Sequence, residues 1–428
     1  MKQSYIDWIG EIPDDWKINQ LSQIVSQVKN KNTGLKENNL LSLSYGKIKR
    51  KDINTNDGLL PASFDGYNII GDGDIVLRLT DLQNDHTSLR VGRATEQGII
   101  TSAYTTLHPV DYDNSKYLYY ILHSFDLKKG FYGMGSGVRQ GLNYDEVKTL
   151  KVPLPPKNTQ QRIAEYLDSK CAQIDSIIEE SKKSIEEYKA WKQSVIFEAV
   201  TGKNLNCKKK DSGIEWIGEI PDGWEVKRLK NLFDFGKGLP ITKENLKETG
   251  VSVISYGQIH SKQNSGTRID DSLKRFVDES YLTSNSNSLV HKSDFIFADT
   301  SEDLEGCGNC VYVDEEQTLF AGYHTIIFSS KIKQSNKYLA YLFKTDAWRN
   351  QIRSRCNGVK LFSITKRILS NVNVILPPLH EQESIAKMLD SKCAQIDGLI
   401  AEKESLIADL TEYKKSLIFE VVTGKRSI

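Results

Sequence analysis

The sequence predicts an α+β protein with an internal pseudo-two-fold repeat, in which two similar α+β domains are separated by two long antiparallel helices that form a coiled coil. Three observations support this prediction: a duplicated sequence, short β-rich runs bounded by turn residues, and two segments of about 42 residues with helical spacing of apolar side chains. The heptapeptide SKCAQID, at Ser169–Asp175, returns unchanged at Ser391–Asp397. So exact a repeat indicates a duplicated unit.

The duplication extends along the whole chain. The matching strings are IDWIGEIPDDW at Ile6 and IEWIGEIPDGW at Ile214, LSYGKI at Leu43 and ISYGQI at Ile254, VPLPP at Val152 and VILPP at Val374, and EAVTGK at Glu198 and EVVTGK at Glu420. The chain is therefore two copies of one unit. We predict a first α+β domain at residues 1–156, a first helix at 157–203, a second α+β domain at 204–376 and a second helix at 377–428.

The first part of each unit predicts a compact α+β domain. Runs such as GDIVLRL and SDFIFAD are short, β-rich and separated by Gly, Asn and Asp, which favour turns. The second part predicts one long helix, which follows a Pro-Pro pair and ends at Gly202 or Gly424, each placed as a helix C′ residue.

Apolar side chains on the two helices recur at alternating steps of three and four, which is the pattern of a coiled-coil seam. The predicted seam residues are Ile174, Ile177, Tyr188, Trp191 and Val195 in the first copy, with Ser181 and Ser184 at its centre, and Ile396, Leu399, Leu406, Leu410, Tyr413 and Leu417 in the second, with Lys403 between them. Ile178 and Ile185 lie beside this seam. The apolar face is broader than a two-helix seam requires, so it packs either on the partner helix alone or also on another protein.

Geometry predicts the arrangement of the units. A helix of about 42 residues spans about 63 Å, whereas the eight residues Asn204–Asp211 reach at most about 28 Å. The second domain must then begin near the far end of the first helix. If equal sequences pack equally, the helices run antiparallel and the protein is a two-point ruler.

Composition limits the class of protein. The net charge is +1, with −2 at residues 159–200 and −4 at 380–422, which leaves +7 for the rest. Every apolar run is far shorter than the roughly 20 residues that span a bilayer, and the opening MKQSYIDWIGEIPDDW is unlike a signal peptide. Six cysteines without a framework spacing fit a reducing compartment. We expect a soluble, cytoplasmic protein that makes no membrane contact.

The order of these elements resembles the specificity (S) subunit of type I restriction-modification enzymes over essentially the whole chain. The resemblance is carried by the two IGEIPD-W openings, by YDEVKTLKVPLPP running into QQRIAEYLD, and by the repeat itself. It implies that each α+β domain is a target-recognition domain that reads one half of a split sequence in double-stranded DNA, while the helices act as a spacer. It also implies that two methyltransferase subunits dock on the helices and that restriction subunits join to make the nuclease.

The resemblance further implies a non-catalytic chain without a cofactor of its own, with S-adenosylmethionine bound by the methyltransferase subunits. Residues 52–100 and 263–317 barely resemble each other. Different half-sites would explain that divergence, and neutral drift of surface loops is the alternative.

Two alternative classes of function are a fused enzyme and a coiled-coil adaptor. A fused methyltransferase would need an Asp/Asn-Pro-Pro-aromatic motif, which LPPK at Leu154 and LPPL at Leu376 lack, and GMGSG and GKG follow no βαβ pattern typical of a cofactor loop. Because these motifs are absent, no catalytic residue is predicted. No metal site is predicted either, because Cys307 and Cys310 have no second ligand pair at zinc spacing. The remaining alternative is a coiled-coil adaptor whose end domains bind proteins.

Candidate DNA-reading residues are basic and amide side chains in loops, because Arg, Gln and Asn can bond base edges whereas Lys mostly contacts phosphate. The first domain offers Lys47, Lys49, Arg50, Lys51, Arg78, Arg90, Arg93, Arg139 and Gln140; the second offers Gln258, His260, Lys262, Arg268, Arg353, Arg355 and Lys360. For any single arginine the alternative is an ordinary surface ion pair. Trp8, Trp16, Trp216 and Trp224 occupy equivalent places, and we expect them to pack each domain against a helix end.

Overall fold

The computed structural model describes residues 1–54, 60–134, 141–358 and 360–428. The described residues form two compact units. The first unit comprises Met1–Lys182 with Glu404–Ile428, and the second comprises Lys183–Lys403. Each unit therefore contains one α+β domain and a part of both long helices.

The first domain is built on a four-stranded antiparallel sheet of order β4-β11-β8-β9. The domain also contains the strand pairs β1–β2, β3–β12, β5–β6 and β7–β10. The strands are β1 Lys2–Gln3, β2 Glu11–Ile12, β3 Lys17–Gln20, β4 Val25–Gln27, β5 Leu41–Ser44, β6 Lys47–Arg50, β7 Asn68–Ile70, β8 Ile75–Leu77, β9 Val91–Arg93, β10 Gly98–Ile100, β11 Thr105–Pro109 and β12 Lys151–Leu154. The helices are α1 Ser115–Leu127, α2 Tyr144–Val147 and α3 Lys157–Thr201.

The second domain repeats this plan and adds strands. Its antiparallel sheet has the order β16-β24-β20-β22, and a mixed sheet β18-β17-β23-β19 lies beside it. The strands are β13 Lys209–Asp211, β14 Glu219–Pro221, β15 Glu225–Arg228, β16 Phe233–Lys237, β17 Val251–Ile254, β18 Arg275–Val277, β19 Leu289–Val290, β20 Phe295–Ala298, β21 Thr300–Ser301, β22 Cys310–Tyr312, β23 Leu319–Ala321, β24 Thr325–Ser330, β25 Phe362–Ser363 and β26 Asn373–Leu376. The helices are α4 Leu229–Leu232, α5 Tyr256–Ile259, α6 Tyr281–Ser284, α7 Asn336–Phe343, α8 Asp346–Arg353, α9 Lys366–Ser370 and α10 Leu379–Val422.

Equivalent side chains make equivalent bonds in the two units. The buried Tyr117 hydroxyl on α1 donates to the carbonyl oxygens of Pro153 and Val422. The buried Tyr338 hydroxyl on α7 donates to those of Ile375 and Val200. Each tyrosine thus ties its domain to the last turn of a long helix, so the predicted repeat is also a repeat of packing.

Both long helices end as predicted at glycines with left-handed backbone. Gly202 has φ +66° and Gly424 has φ +72°, and the amides of Lys203 and Lys425 donate to the carbonyls of Glu198 and Glu420. This is the Schellman arrangement, which satisfies carbonyls that the helix leaves unpaired.

The glycines also allow close packing at the helix ends. A Cβ atom at Gly424 would lie 2.4 Å from Pro13 and 3.2 Å from Trp16. One at Gly202 would lie 2.5 Å from Pro221 and 3.0 Å from Trp224. Trp16 and Trp224 are buried against the helix ends as expected, whereas Trp216 is exposed.

Within each unit the two long helices run antiparallel. In the first unit the Asp175 carboxylate of α3 bonds Lys414 of α10 at 2.6 Å, and Arg162 donates to the carbonyl of Ile428 at 2.6 Å. In the second unit Lys192 bonds Asp397 at 2.6 Å, and Ala199 shares a depression with Met388. In both units, residues with higher numbers on α3 therefore lie beside residues with lower numbers towards the start of α10, as in an antiparallel pair.

The seam between these helices differs in part from the prediction. Ile174, Tyr188, Val195, Ile396, Leu410 and Leu417 are buried or half-buried, as expected. The predicted flanking residues are instead 37–51% exposed; they are Ile177, Trp191, Leu399, Leu406 and Tyr413. The covered flank is formed by Ile178, Ile185, Lys192, Ile400, Ile407 and Lys414. Both flanks of the central row carry apolar residues, so periodicity located the row but could not show which flank is covered.

Among the residues that the structure describes, no helix combines the length and apolar character needed to cross a membrane.

Candidate DNA-binding surface

Strand ends of the first domain meet at one edge of its main sheet. In this antiparallel sheet β4 and β8 end where β11 begins, with Leu107 paired to Gln27 and Thr105 to Leu77. Arg78 directly follows β8 and is half-buried at this edge. Its guanidinium lies 3.5 Å from the Asp85 carboxylate. Hydrogen bonds from the Ser88 hydroxyl and amide hold the pKa of Asp85 well below its usual range, so the partner of Arg78 stays ionised.

The same edge of the second domain is a cleft of about 550 Å³. It is lined by the ends of β16, β20 and β24 and by the segment leading into α9. Its titratable side chains are Lys237, Asp299, His324 and Lys366. The His324 Nδ1 atom lies 3.2 Å from the Asp299 carboxylate, and Lys366 Nζ donates to the Phe235 carbonyl at 2.9 Å. A cleft with both donors and an acceptor can bond base edges.

The sequence did not single out Lys237, His324 or Lys366 as readers, although they line this cleft. They are spread over about 130 residues of the chain, and only the strand pairing brings them together. The sequence feature that could have identified these three residues is that each follows or precedes a β-rich run, which places it at a strand end.

Several predicted readers form no ion pair with a described residue, and of these Lys51 is half-buried while the others are exposed. Within the described ranges, no carboxylate lies within salt-bridge distance of Lys49, Lys51, Lys262, Arg268, Arg355 or Lys360. Lys47 lies 4.0 Å from Asp175 of α3. Arg50 is exposed, but its guanidinium forks onto the Glu96 carboxylate with bonds of 2.8 and 2.9 Å. These residues stay predicted DNA contacts.

Arg90 is a correction to the predicted set, because its side chain is fully buried. The guanidinium donates to the carbonyls of Thr80 at 2.6 Å and Asp81 at 3.3 Å, and also to that of Asp85. It therefore holds the 78–90 loop together from inside and cannot reach a duplex.

Four more predicted DNA-reading residues use their side chains to bond other groups of their own domain. Arg93 donates to Ser115 at 2.7 Å, and Arg353 bonds Asp346 at 2.9 Å and the Glu305 carbonyl at 2.8 Å; both are largely buried. His260 lies 2.8 Å from the Thr300 carbonyl, and the Gln258 side chain accepts from the Ser255 amide. These side chains position loops, so direct base reading by them is not favoured. Arg139 and Gln140 lie outside the described residues.

No group of three or more His, Cys, Asp or Glu side chains in the described part of the chain is placed to hold a metal ion. Cys307 and Cys310 are both buried. Burial raises the pKa of the Cys310 thiol to about 12, which disfavours the thiolate that binds metals.

Comparison with known proteins covers both halves of the chain. The family description "Type I restriction modification DNA specificity domain" matches residues 13–187 and 221–407. The "Type I restriction enzyme MjaVIII specificity subunit" of Methanocaldococcus jannaschii is 24% identical over 433 residues, covering 97% of this chain and 93% of that protein. The "Type I restriction enzyme EcoKI specificity subunit" of Escherichia coli K12 is 24% identical over 213 residues, covering 49% of this chain and 44% of that protein.

Solved structures show the same fold. A chain described under "Structural basis underlying complex assembly and conformational transition of the type I R-M system" aligns with a TM-score of 0.72 at 14% identity, covering 97% of this chain and all of that one. The HsdS subunit from Thermoanaerobacter tengcongensis aligns with a TM-score of 0.56 at 14% identity, covering 97% of this chain and 98% of that one.

Proposed function

The chain belongs to the type I restriction-modification DNA specificity family, and from this premise we propose how it selects DNA for partner subunits. It is the DNA-specificity subunit of such a system, and it contains the family's domain twice. Each α+β domain reads one half of a bipartite target. The family assignment leaves the coiled-coil adaptor hypothesis without support.

The observation that carries this proposal is the combination of a common framework with different reading edges. Tyr117 and Tyr338 anchor the two domains through equivalent bonds, whereas the sheet edges carry Arg78 in one domain and Lys237, His324 and Lys366 in the other. Equal frameworks keep the register of each domain on DNA, and unequal edges read different bases.

The two long helices set the unread gap between the half-sites. Symmetric readers place their half-sites about one helical turn, roughly 34 to 36 Å, apart. Helices α3 and α10 have 45 and 44 residues, and a seam fixes them to each other within each unit. We infer a gap of constant length and variable sequence.

The chain itself is non-catalytic, and two methyltransferase subunits dock on the helices. S-adenosylmethionine binds to those subunits, which flip the target adenine out of the duplex. Exposed apolar side chains that the partner helix leaves uncovered supply a docking face in each unit: Ile177, Leu406 and Tyr413 in the first unit, and Trp191 and Leu399 in the second. Restriction subunits join where the system also cleaves. The net charge of +1 fits this division, since partner subunits would supply most of the non-specific affinity.

Methylation mapping tests the proposal. Genomic DNA from a host carrying this gene and its methyltransferase should show one split adenine motif with a gap of fixed length, and deletion of this gene should abolish that motif. Reintroducing the gene on a plasmid is the control. A methylation pattern that deletion leaves unchanged would refute the specificity role, and methyl transfer by the purified chain alone would refute its non-catalytic character.

A further inference from the structure

Three exposed arginines of the second domain line one surface depression of about 380 Å³. They are Arg228 at the end of β15, Arg355 after α8 and Arg367 in α9, and Ile368 and Asn371 complete the lining. No carboxylate belongs to this lining. Among the described residues, none of the three guanidiniums has a salt-bridge partner, unlike those of Arg50, Arg93 and Arg353.

Positive charges that line one depression repel one another, and a bound anion relieves that repulsion. Arginine presents a planar fork of N–H donors that matches the oxygens of a phosphate group. The Asn371 side chain donates to the Arg367 carbonyl at 2.9 Å, which fixes the end of α9 beside the depression. Charge and shape therefore both select a phosphate oxyanion.

The depression adjoins the cleft of the second domain. Lys366 lines the cleft, and the next residue, Arg367, lines the depression. Arg355 precedes the segment that leads to Ser363 and Ile364 on the cleft wall. A duplex that presents base edges to the cleft brings its backbone past these arginines. We propose that Arg228, Arg355 and Arg367 form a binding site for a phosphodiester group of the DNA backbone.

Two of the three arginines have no basic equivalent in the described part of the first domain. Gln20 ends β3, as Arg228 ends β15 in the matching strand pair. Asp145 is the second residue of α2, as Arg367 is the second residue of α9, and it bonds Lys148 at 2.6 Å. At these two positions the second domain therefore carries positive charge where the first carries an amide and a carboxylate.

This inference rests on the proposed function, and the salt dependence of DNA binding tests it. The protein is the full-length chain with its methyltransferase subunits, and the probes are a labelled duplex carrying the mapped target and a scrambled duplex. Removing a phosphate contact should reduce the slope of log K against log salt by about 1 and weaken both duplexes alike. The test variant is Arg228→Gln with Arg367→Gln.

Two further variants separate charge from folding. Arg228→Lys with Arg367→Lys keeps the charge and should keep most of the slope. Arg275→Gln makes the same type of charge change at an exposed arginine outside the depression, whose Nη1 donates to the Ser272 and Lys274 carbonyls, and should leave the slope unchanged.

An unchanged slope in the double Gln variant would overturn the phosphate site, as would a loss of affinity for the target duplex alone, which would indicate base reading. Inorganic phosphate at constant ionic strength tests a small-molecule ligand. If it binds without DNA and only that binding is lost in the variant, the site does not serve the DNA backbone. If the wild-type complex shows no preference for the target duplex, the proposed function itself fails.

Discussion

Burial separates two kinds of arginine that look alike in the sequence. Arg90 and Arg93 stand in the basic string SLRVGR, and Arg353 and Arg355 stand in RSRC. Arg90 bonds a carbonyl, Arg93 a hydroxyl and Arg353 a carboxylate of its own domain. Arg355, in contrast, is exposed. Each string therefore predicts a basic loop, but it does not predict which of its arginines is free to contact DNA.

Replacing Arg90 by Met should lower the free energy of unfolding by about 3 kcal/mol, because the carbonyls of Thr80, Asp81 and Asp85 lose their charged donor. Urea unfolding measures this loss. The matched control is Lys49→Met at an exposed position of β6, which should change stability by less than about 0.5 kcal/mol. Equal effects would contradict the internal role of Arg90.

His123 predicts a pH dependence of stability. Burial, together with a smaller effect of the positive charge of Lys414, lowers the pKa of this imidazole on α1 from 6.5 to about 4. Between these pH values the unfolded chain binds a proton at His123 that the folded chain excludes. The contribution of the neutral His123 to the free energy of unfolding is therefore fully present above pH 6.5 and is lost as the pH drops towards 4.

At pH 5 the loss from His123 should be about 2 kcal/mol relative to pH 7. Urea unfolding of the wild type and of His123→Leu at both pH values isolates this contribution. Burial raises the pKa of Asp126 to about 6, which acts in the opposite direction but is common to both proteins. The variant should lose less stability on acidification than the wild type; parallel losses would refute the assignment.

At the scale of elements, the helix C-terminal glycines make the sharpest prediction. Gly424→Ala places a side chain at φ +72° and 2.4 Å from Pro13, so it should destabilise the protein by about 2 kcal/mol or more. Gly398→Ala, inside α10 with no atom within 4 Å of the added Cβ, should instead stabilise by up to about 1 kcal/mol. Thermal unfolding compares the two, and equal shifts would contradict the packing at the helix end.

The long helices themselves were predictable, since Pro-Pro pairs, apolar periodicity and terminal glycines all agree. Their seam was predictable only in its central row. Ile177 and Ile178 are adjacent and chemically identical, and the tertiary packing that covers Ile178 more than Ile177 comes from the partner helix.

Trp191→Asp should leave folding nearly unchanged because this side chain is 51% exposed, but it should weaken methyltransferase binding at least tenfold. Gln193→Asp, an exposed neighbour, is the control and should do neither. Ile185→Asp, at a position that is 7% exposed, should instead unfold the helix pair. Co-purification with the methyltransferase and circular dichroism measure both effects, and full binding by the Trp191 variant would refute the docking face.

At the scale of the whole molecule, the repeat made the architecture predictable from sequence. Both sheets, both helix ends and the Tyr117 and Tyr338 anchors recur because the sequence recurs. The reading edges were not predictable to the same degree. Lys237, His324 and Lys366 come from distant strands, and their proximity depends on pairings such as Gly236 with Ile327 that no local pattern specifies.

Insertion of one heptad into each long helix, after Ser181 and after Lys403, tests the central claim that two independent readers are joined by helices that set the gap. Seven residues preserve the seam and add about 10 Å to each helix, which corresponds to about three base pairs. Methylation mapping of a host expressing this variant should show both half-sites unchanged and the gap about three base pairs longer. An unchanged gap, or a change in either half-site, would contradict the account.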